Sequence, residues 1–169
     1  MRILSDLTYP TLIQLEPIVD DRGYFMRHFD ASMLEYKTMQ DRIMQANVCF
    51  NEKKGTLRGL HYQVAPFEEK KIVSCLRGSI FDVAVDIRKD SETYLLLWIV
   101  KLHENRNAIF YIPEGFAHGY QTLEDNTLVH YYMSENYHKE SERVLRYDDQ
   151  RVNIQWPYEV ENLSERDQL

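Results

Sequence analysis

Between Leu57 and Met133 turn signals repeatedly cut the chain into short β-prone runs, and that spacing restricts the fold more than any other feature. Ile72 to Leu76 ends at Arg77-Gly78, and Ser79 to Ile87 then alternates Phe81, Val83, Val85 and Ile87 with Asp82 and Asp86 on the opposite face. Tyr94 to Leu102, Ala108 to Ile112, His118 to Leu123 and Thr127 to Met133 follow, separated by Asp90-Ser91, Glu104-Asn105, Pro113-Glu114-Gly115 and Glu124-Asp125-Asn126. Arg143 to Tyr147 adds one more candidate. Many short strands at this interval predict an all-β sandwich or barrel. Residues 3–19 hold Pro10 and Pro17, which favour short or edge strands, and Asp20-Asp21-Arg22-Gly23 reads as a turn before the β-prone Tyr24-Phe25-Met26. A helix is expected over residues 32–40, where Ser32 and Glu35 have capping-box spacing. With 169 residues, no low-complexity linker and no internal repeat, one domain over residues 1–169 is expected.

Charge and cysteine usage narrow the class. A net charge of −7 argues against a nucleic-acid or anionic-membrane binder, but leaves room for a small anion held by a local basic cluster. Cys49 and Cys75 form no close-spaced metal or redox motif, and no secretory apolar region follows Met1, so a reducing cytoplasm is expected. The longest apolar run, Leu95 to Val100, is far too short to cross a bilayer, and a soluble protein is expected.

One strand-like stretch carries chemistry: Gly55-Thr56-Leu57-Arg58-Gly59-Leu60-His61-Tyr62-Gln63. Unbroken alternation would send Leu57, Gly59, His61 and Gln63 one way and Arg58, Leu60 and Tyr62 the other. A bulge at Gly59 would instead let Arg58 and His61 serve one pocket. A cation beside a titratable imidazole suits an anionic ligand that exchanges a proton. A core histidine and a solvent-facing arginine remain the alternative at this point.

Further segments occur in order: Asp21-Arg22-Gly23-Tyr24-Phe25, Gly59-Leu60-His61-Tyr62-Gln63, Asp82-Val83-Ala84-Val85-Asp86-Ile87-Arg88 and Ile112-Pro113-Glu114-Gly115-Phe116-Ala117-His118-Gly119. Trp156-Pro157 and Leu163-Ser164-Glu165-Arg166-Asp167 close the series. Over nearly the whole chain this resembles the dTDP-4-dehydrorhamnose 3,5-epimerase family of deoxysugar biosynthesis. The resemblance implies a cupin-type jelly roll with one or two short helices, acting as a homodimer whose neighbouring subunit's N-terminal region helps close each site. The family inverts carbons flanking the C4 ketone of a nucleotide-linked 4-keto-6-deoxyhexose, which takes a base, a proton donor on the other face and enolate stabilisation. No redox cofactor is required. By the match His61 is the base, Asp167 its carboxylate partner, Tyr131 the general acid and Lys71 the cation near the enolate oxygen. His118 and Arg58 match substrate-site positions; Arg22 and Arg166 match positions that bind the substrate through its nucleotide, as arginine forks suit phosphate. Gln45, Asn47 and Glu142 match further binding positions, while Asp82 matches a buried carboxylate near the site and Tyr137 a tyrosine after the acid strand. Strand parity puts Val129, Tyr131 and Met133 together, so His130 is expected to face away as a structural residue.

Departures from the pattern bear on specificity. Arg27 stands where the family usually has glutamate, at a substrate contact that reaches the neighbouring subunit's ligand. Val48-Cys49-Phe50-Asn51 replaces a histidine-serine-x-serine stretch with one residue added before Gly55, and Leu95-Leu96-Leu97 replaces a segment where glycine is common. Pro113-x-Gly115-x-x-His118 resembles half of the metal pattern of many cupins, but His61 has no second histidine two residues away, so a metal-free enzyme is expected. His28, His103 and His138 are expected to be solvated. The alternatives are a C3-only or C5-only epimerase of a different nucleotide sugar, a non-catalytic nucleotide-sugar-binding cupin, and an isomerase that moves the ketone between C3 and C4.

Overall fold

The computed structural model describes residues 7–30, 43–160 and 162–168, so the helix expected over 32–40 lies outside the described residues. Twelve strands run through the described residues: β1 (Thr11–Gln14), β2 (Ile18–Asp20), β3 (Gly23–Phe25), β4 (Gln45–Asn51), β5 (Leu57–Gln63), β6 (Lys71–Arg77), β7 (Ser79–Asp86), β8 (Leu97–His103), β9 (Ala108–Ile112), β10 (Phe116–Thr122), β11 (Thr127–Met133) and β12 (Glu142–Val144). One 3-10 helix, Glu165–Gln168, follows them. Two five-stranded sheets have the orders β1-β9-β6-β11-β4 and β12-β5-β10-β7-β8, and β2 and β3 form a separate ribbon. The pairings between named strands are antiparallel. Val73, Phe110, Ile112 and Val129 of the first sheet pack with Ile80, Ala84, Leu102 and Tyr120 of the second, so the main core lies between the sheets. This is the expected all-β sandwich.

Two further apolar layers explain where the alternation points. On the second sheet's outer face Leu60, Val83, Val85 and Ala117 are covered by Val152 and Ile154. The apolar face of β7 therefore turns away from the sandwich interior, while Ile80 and Ala84 face inward. Asp82 and Asp86 are both fully buried instead of lying on a solvent face. A covering C-terminal segment inverts the simple expectation for a strand with one solvated face. Against the first sheet, Met26, Phe29, Ile43 and Tyr132 pack over Leu7, Ile13, Ile72 and Tyr111.

Some boundaries move. β8 begins at Leu97, not Tyr94, because Leu95 has φ 64°, a left-handed conformation that breaks an extended strand. β10 starts two residues before His118, at Phe116. His28 lies edge-on to His130 with ring centroids 6.4 Å apart, and His138 stacks on Phe67 at 3.6 Å. Both are half-buried; aromatic neighbours give them a packed surface where polar sequence context suggested solvent.

Beyond β12 the chain runs back toward β5. Trp156 Nε1 donates to Tyr147 O (2.9 Å), and Tyr158 N to Gln121 Oε1 (3.0 Å). A parallel bridge then joins Asn162 to Thr56, and Leu57 N donates to Asn162 O at 3.1 Å. This path carries the short helix to the side of β5.

Candidate active site

The register between β5 and β10 determines which side chains meet. His118 lies opposite His61 and Tyr120 opposite Arg58, so Gly59 and Leu60 of β5 stand against Gly119 alone of β10. That extra residue is a bulge. His118 and Tyr120 share a face by alternation, and the bulge brings Arg58 and His61 onto it, while Leu60 joins the outer layer. Gly59 permits this with φ 118°; a Cβ there would lie 2.5 Å from Gly119 Cα and 2.7 Å from the His118 carbonyl oxygen. Only glycine fits such a backbone approach.

His61 Nε2 is 2.5 Å from Oδ1 of the buried Asp167. The Asp167 amide donates to Ser164 O (3.0 Å) and Oγ (3.3 Å), and Arg146 Nη1 donates to Gln168 O (2.6 Å). Burial works to raise the Asp167 carboxyl. The hydrogen bond to His61 and its charge, with the Ser164 side chain and the Gly59 backbone, outweigh burial and hold it below the usual carboxylate range. An ionised carboxylate accepts a hydrogen bond from Nε2–H, which keeps that proton on Nε2 and leaves the imidazole lone pair on Nδ1.

Tyr131, with Met133, points from β11 into the same space, and its hydroxyl lies 3.8 Å from Cys49 Sγ. Tyr132 packs on the outer side and His130 edge-on against it, as strand parity predicts. Burial pushes the Tyr131 phenol up to about 12; Cys49 adds to the rise, and Arg58 and Arg166 oppose it. The phenol is therefore a proton donor near neutral pH.

Lys71 opens β6 and is buried; its Nζ donates to the His61 carbonyl oxygen (3.1 Å) and pairs with Glu69 Oε1 (2.9 Å). His118 Nε2 lies 2.6 Å from Asp82 Oδ1, and the buried Asp82 Oδ2 has no hydrogen-bond partner among the described residues. Arg58 Nε donates to Asn51 Oδ1 at 2.8 Å. At the rim Tyr137 donates to Glu142 (2.9 Å), Glu142 pairs with Arg166, and the Arg166 guanidinium sits 5.8 Å from the Tyr137 ring centroid.

These groups surround one cavity of about 340 Å³. Of the residues expected from sequence, Gln45, Asn47, Arg58, His61, Lys71, His118, Tyr131, Tyr137, Glu142 and Arg166 line it, and Asp167 stands beside His61. Arg22 and Arg27 do not line it. Arg22 is exposed on the β2–β3 ribbon and bonded to Asp20, and Arg27 pairs with Asp30 at 3.3 Å. Sequence reasoning missed Glu69, Cys49 and Tyr120, which also line the cavity. Cys49 and Tyr120 each lie two residues from an expected one on the same strand (Asn47 and His118), the period that puts strand side chains on one face, whereas Glu69 comes from the connection that leads into β6. Among the described residues no group of three or more His, Cys, Asp or Glu is arranged to hold a metal ion, and no helix is long and apolar enough to cross a membrane.

Comparison with known proteins agrees with this arrangement. The sequence profile of dTDP-4-dehydrorhamnose 3,5-epimerase matches residues 5–169. The dTDP-4-dehydrorhamnose 3,5-epimerase of Methanothermobacter thermautotrophicus is 39% identical over 168 residues, 98% of this chain and 90% of that protein. Among solved structures, the dTDP-4-dehydrorhamnose 3,5-epimerase of Bacillus anthracis with TDP and PPi bound has a TM-score of 0.92 at 31% identity, covering 100% of this chain and 97% of that one. The dTDP-6-deoxy-D-glucose-3,5-epimerase of Legionella pneumophila in complex with dTDP-4-keto-L-rhamnose has a TM-score of 0.87 at 36% identity, covering 99% and 88%. The sandwich is a cupin-type jelly roll.

Proposed function

Since the chain belongs to the dTDP-4-dehydrorhamnose 3,5-epimerase family, we propose that its cavity inverts carbons beside the C4 ketone of a nucleotide-linked 4-keto-6-deoxyhexose. The substrate is of the dTDP-4-dehydro-6-deoxy-D-glucose type, and the enzyme is an isomerase of deoxysugar biosynthesis. One observation carries this reading: His61 on β5 and Tyr131 on β11 belong to opposite sheets of the sandwich and line one cavity. Inversion needs a base and an acid on opposite faces of a carbon.

His61 Nδ1 takes the proton from the carbon next to the ketone, and the C–H electron pair moves into the carbonyl to form an enolate. The imidazolium that results is stabilised by Asp167. The Lys71 ammonium balances the charge that develops on the enolate oxygen. Tyr131 then donates its proton to the opposite face and the ketone re-forms. Proton exchange with solvent resets His61 and the tyrosinate. The sequence is redox-neutral and takes neither electrons nor a hydride from a cofactor.

Gln45, Asn47, Arg58, His118, Tyr137, Glu142 and Arg166 hold the sugar nucleotide. Arg22 and Arg27 complete the site from a neighbouring copy in a homodimer. The β2–β3 ribbon supports this, because Ile18, Val19, Tyr24 and Phe25 on it are all well exposed. The edge strand β4 of the first sheet likewise exposes Val48 and Phe50. An apolar ribbon and an apolar open edge are surfaces that a second copy covers. The lack of a close-spaced cysteine motif at Cys49 and Cys75 supports a reducing cytoplasm as the compartment.

Proton NMR of dTDP-4-keto-6-deoxyglucose with the protein in D2O tests the proposal. Deuterium entering at both C3 and C5 is the expected outcome. Entry at one carbon names a single-site epimerase. No exchange, with nucleotide binding intact, moves the chain to a different sugar nucleotide or to a binding role.

A further inference from the structure

Glu69 falls in the connection between β5 and β6, at the point where β5 loses a neighbour. The pairing of β5 with β10 ends at His61–His118, and no pairing with β10 follows at Gln63. The other edge of β5 stays paired with β12, but on the β10 side the His61 carbonyl and the Gln63 amide are met by side chains. Glu69 Oε2 accepts the Gln63 amide at 3.1 Å, and Lys71 Nζ donates to the His61 carbonyl oxygen at 3.1 Å. The two side chains are joined to each other at 2.9 Å, with side-chain exposures of 8% for Lys71 and 4% for Glu69. A buried ion pair thus takes the place of a strand.

The arrangement has a consequence for Lys71. An ammonium carries three donors, and two of them are committed, one to His61 and one to Glu69. The third is left for a ligand in the cavity that Lys71 lines. A lysine side chain has four rotatable carbons and no preferred direction of its own. The two fixed bonds supply that direction, and both are anchored to the strand that carries the base.

We propose that Glu69 is a positioning residue for the reaction, holding the Lys71 ammonium aimed at the enolate oxygen. The role rests on the reading of Lys71 given above. Glu69 itself does not exchange a proton with the substrate. It fixes the distance between the cation and His61, so that proton removal and charge stabilisation act on one substrate pose. Loss of this anchor lowers kcat and leaves KM nearly unchanged, because the cation is needed most when the oxygen becomes negative.

The test is a double-mutant cycle on kcat, with folding followed by thermal unfolding. Lys71→Met is expected to lower kcat by about 100-fold. Glu69→Gln is expected to lower kcat by about tenfold or more while KM changes by less than about threefold. Glu69→Asp, which keeps the charge but shortens the reach, is expected to fall between wild type and Glu69→Gln, and it supplies the single-variant measurement if Glu69→Gln does not fold. Adding Glu69→Gln to Lys71→Met removes both buried charges and is expected to cost less than about twofold further. An undiminished kcat in both Glu69 variants overturns the inference. So does a full additional loss in the Lys71→Met background, which would mean that Glu69 acts without Lys71. An undiminished kcat in Lys71→Met overturns the reading of Lys71 as well, and so separates that failure from the failure of Glu69 alone.

Discussion

The Asp167 carboxylate, 2.5 Å from His61 Nε2, decides which imidazole nitrogen is free to take a proton. His61→Ala removes the base and is expected to lower turnover by about 10²–10⁴-fold. Nucleotide binding, followed by calorimetry with dTDP, is expected to stay near wild type. Undiminished turnover would remove His61 from its role. Tyr131→Phe is expected to spare deuterium exchange at C5 more than net epimerisation, since exchange needs only the base; equal loss of both would argue against a reprotonating role. Asp167 also ties stability to pH. Its folded pKa lies below the unfolded value of about 3.9, so its contribution is full above that value and is lost as pH falls through the folded one. Asp167→Asn is expected to remove this part of the acid dependence in denaturant titrations. His61 beside Arg58 already suggested proton exchange with an anionic ligand, but the roles of Tyr131 and Asp167 were legible only through the family resemblance. By position alone Asp167 reads as a solvated charge near the end of the chain.

Strand β5 shows how one backbone position controls a site. Gly59 has φ 118° and touches the backbone of Gly119, so Gly59→Ala is expected to destabilise by about 2–4 kcal/mol in urea unfolding. The bulge was an open possibility in the sequence, since a glycine within a strand marks either a bulge or a close approach. Here it is both. The outer layer over the first sheet makes a second prediction. Burial lowers the pKa of both His28 and His130, and His130 is lowered further by the nearby charge of His28. The unfolded chain, with histidine near 6.5, therefore binds protons that the folded chain refuses, and stability falls as pH drops below about 6.5. Replacing both with glutamine is expected to flatten that slope in melting curves. The sequence marks His130 as outward-facing by parity, but His28 reads as solvated because its burial depends on a strand about a hundred residues away.

At the level of the whole molecule, Arg22 and Arg27 lie away from the cavity of their own chain, and the ribbon that carries Arg22 exposes a row of large apolar side chains. If a second copy supplies these arginines, sedimentation will give a dimer. Mixing His61→Ala with Arg22→Ala is also expected to restore activity. Random exchange makes half the dimers mixed, and each mixed dimer has one intact site of two, so about a quarter of wild-type activity should return at limiting substrate. No recovery on mixing would confine each site to one chain.

The strand intervals, the hairpin turns and the shared face of Val129, Tyr131 and Met133 were settled by the sequence itself, because they depend on neighbours a few residues apart and on a side-chain period of two. Tertiary structure decided which face of β7 is inside, because only the covering Val152 and Ile154 make an outward apolar face stable. It also decided that Arg58 and His61 share a wall, and it brought Glu69 to Lys71. The meeting of His61 with Asp167 spans 106 residues and depends on a C-terminal segment held by Asn162 and Arg146. Alternation along a strand is local, whereas the choice of face and the docking of distant segments follow from burying apolar surface over the whole chain.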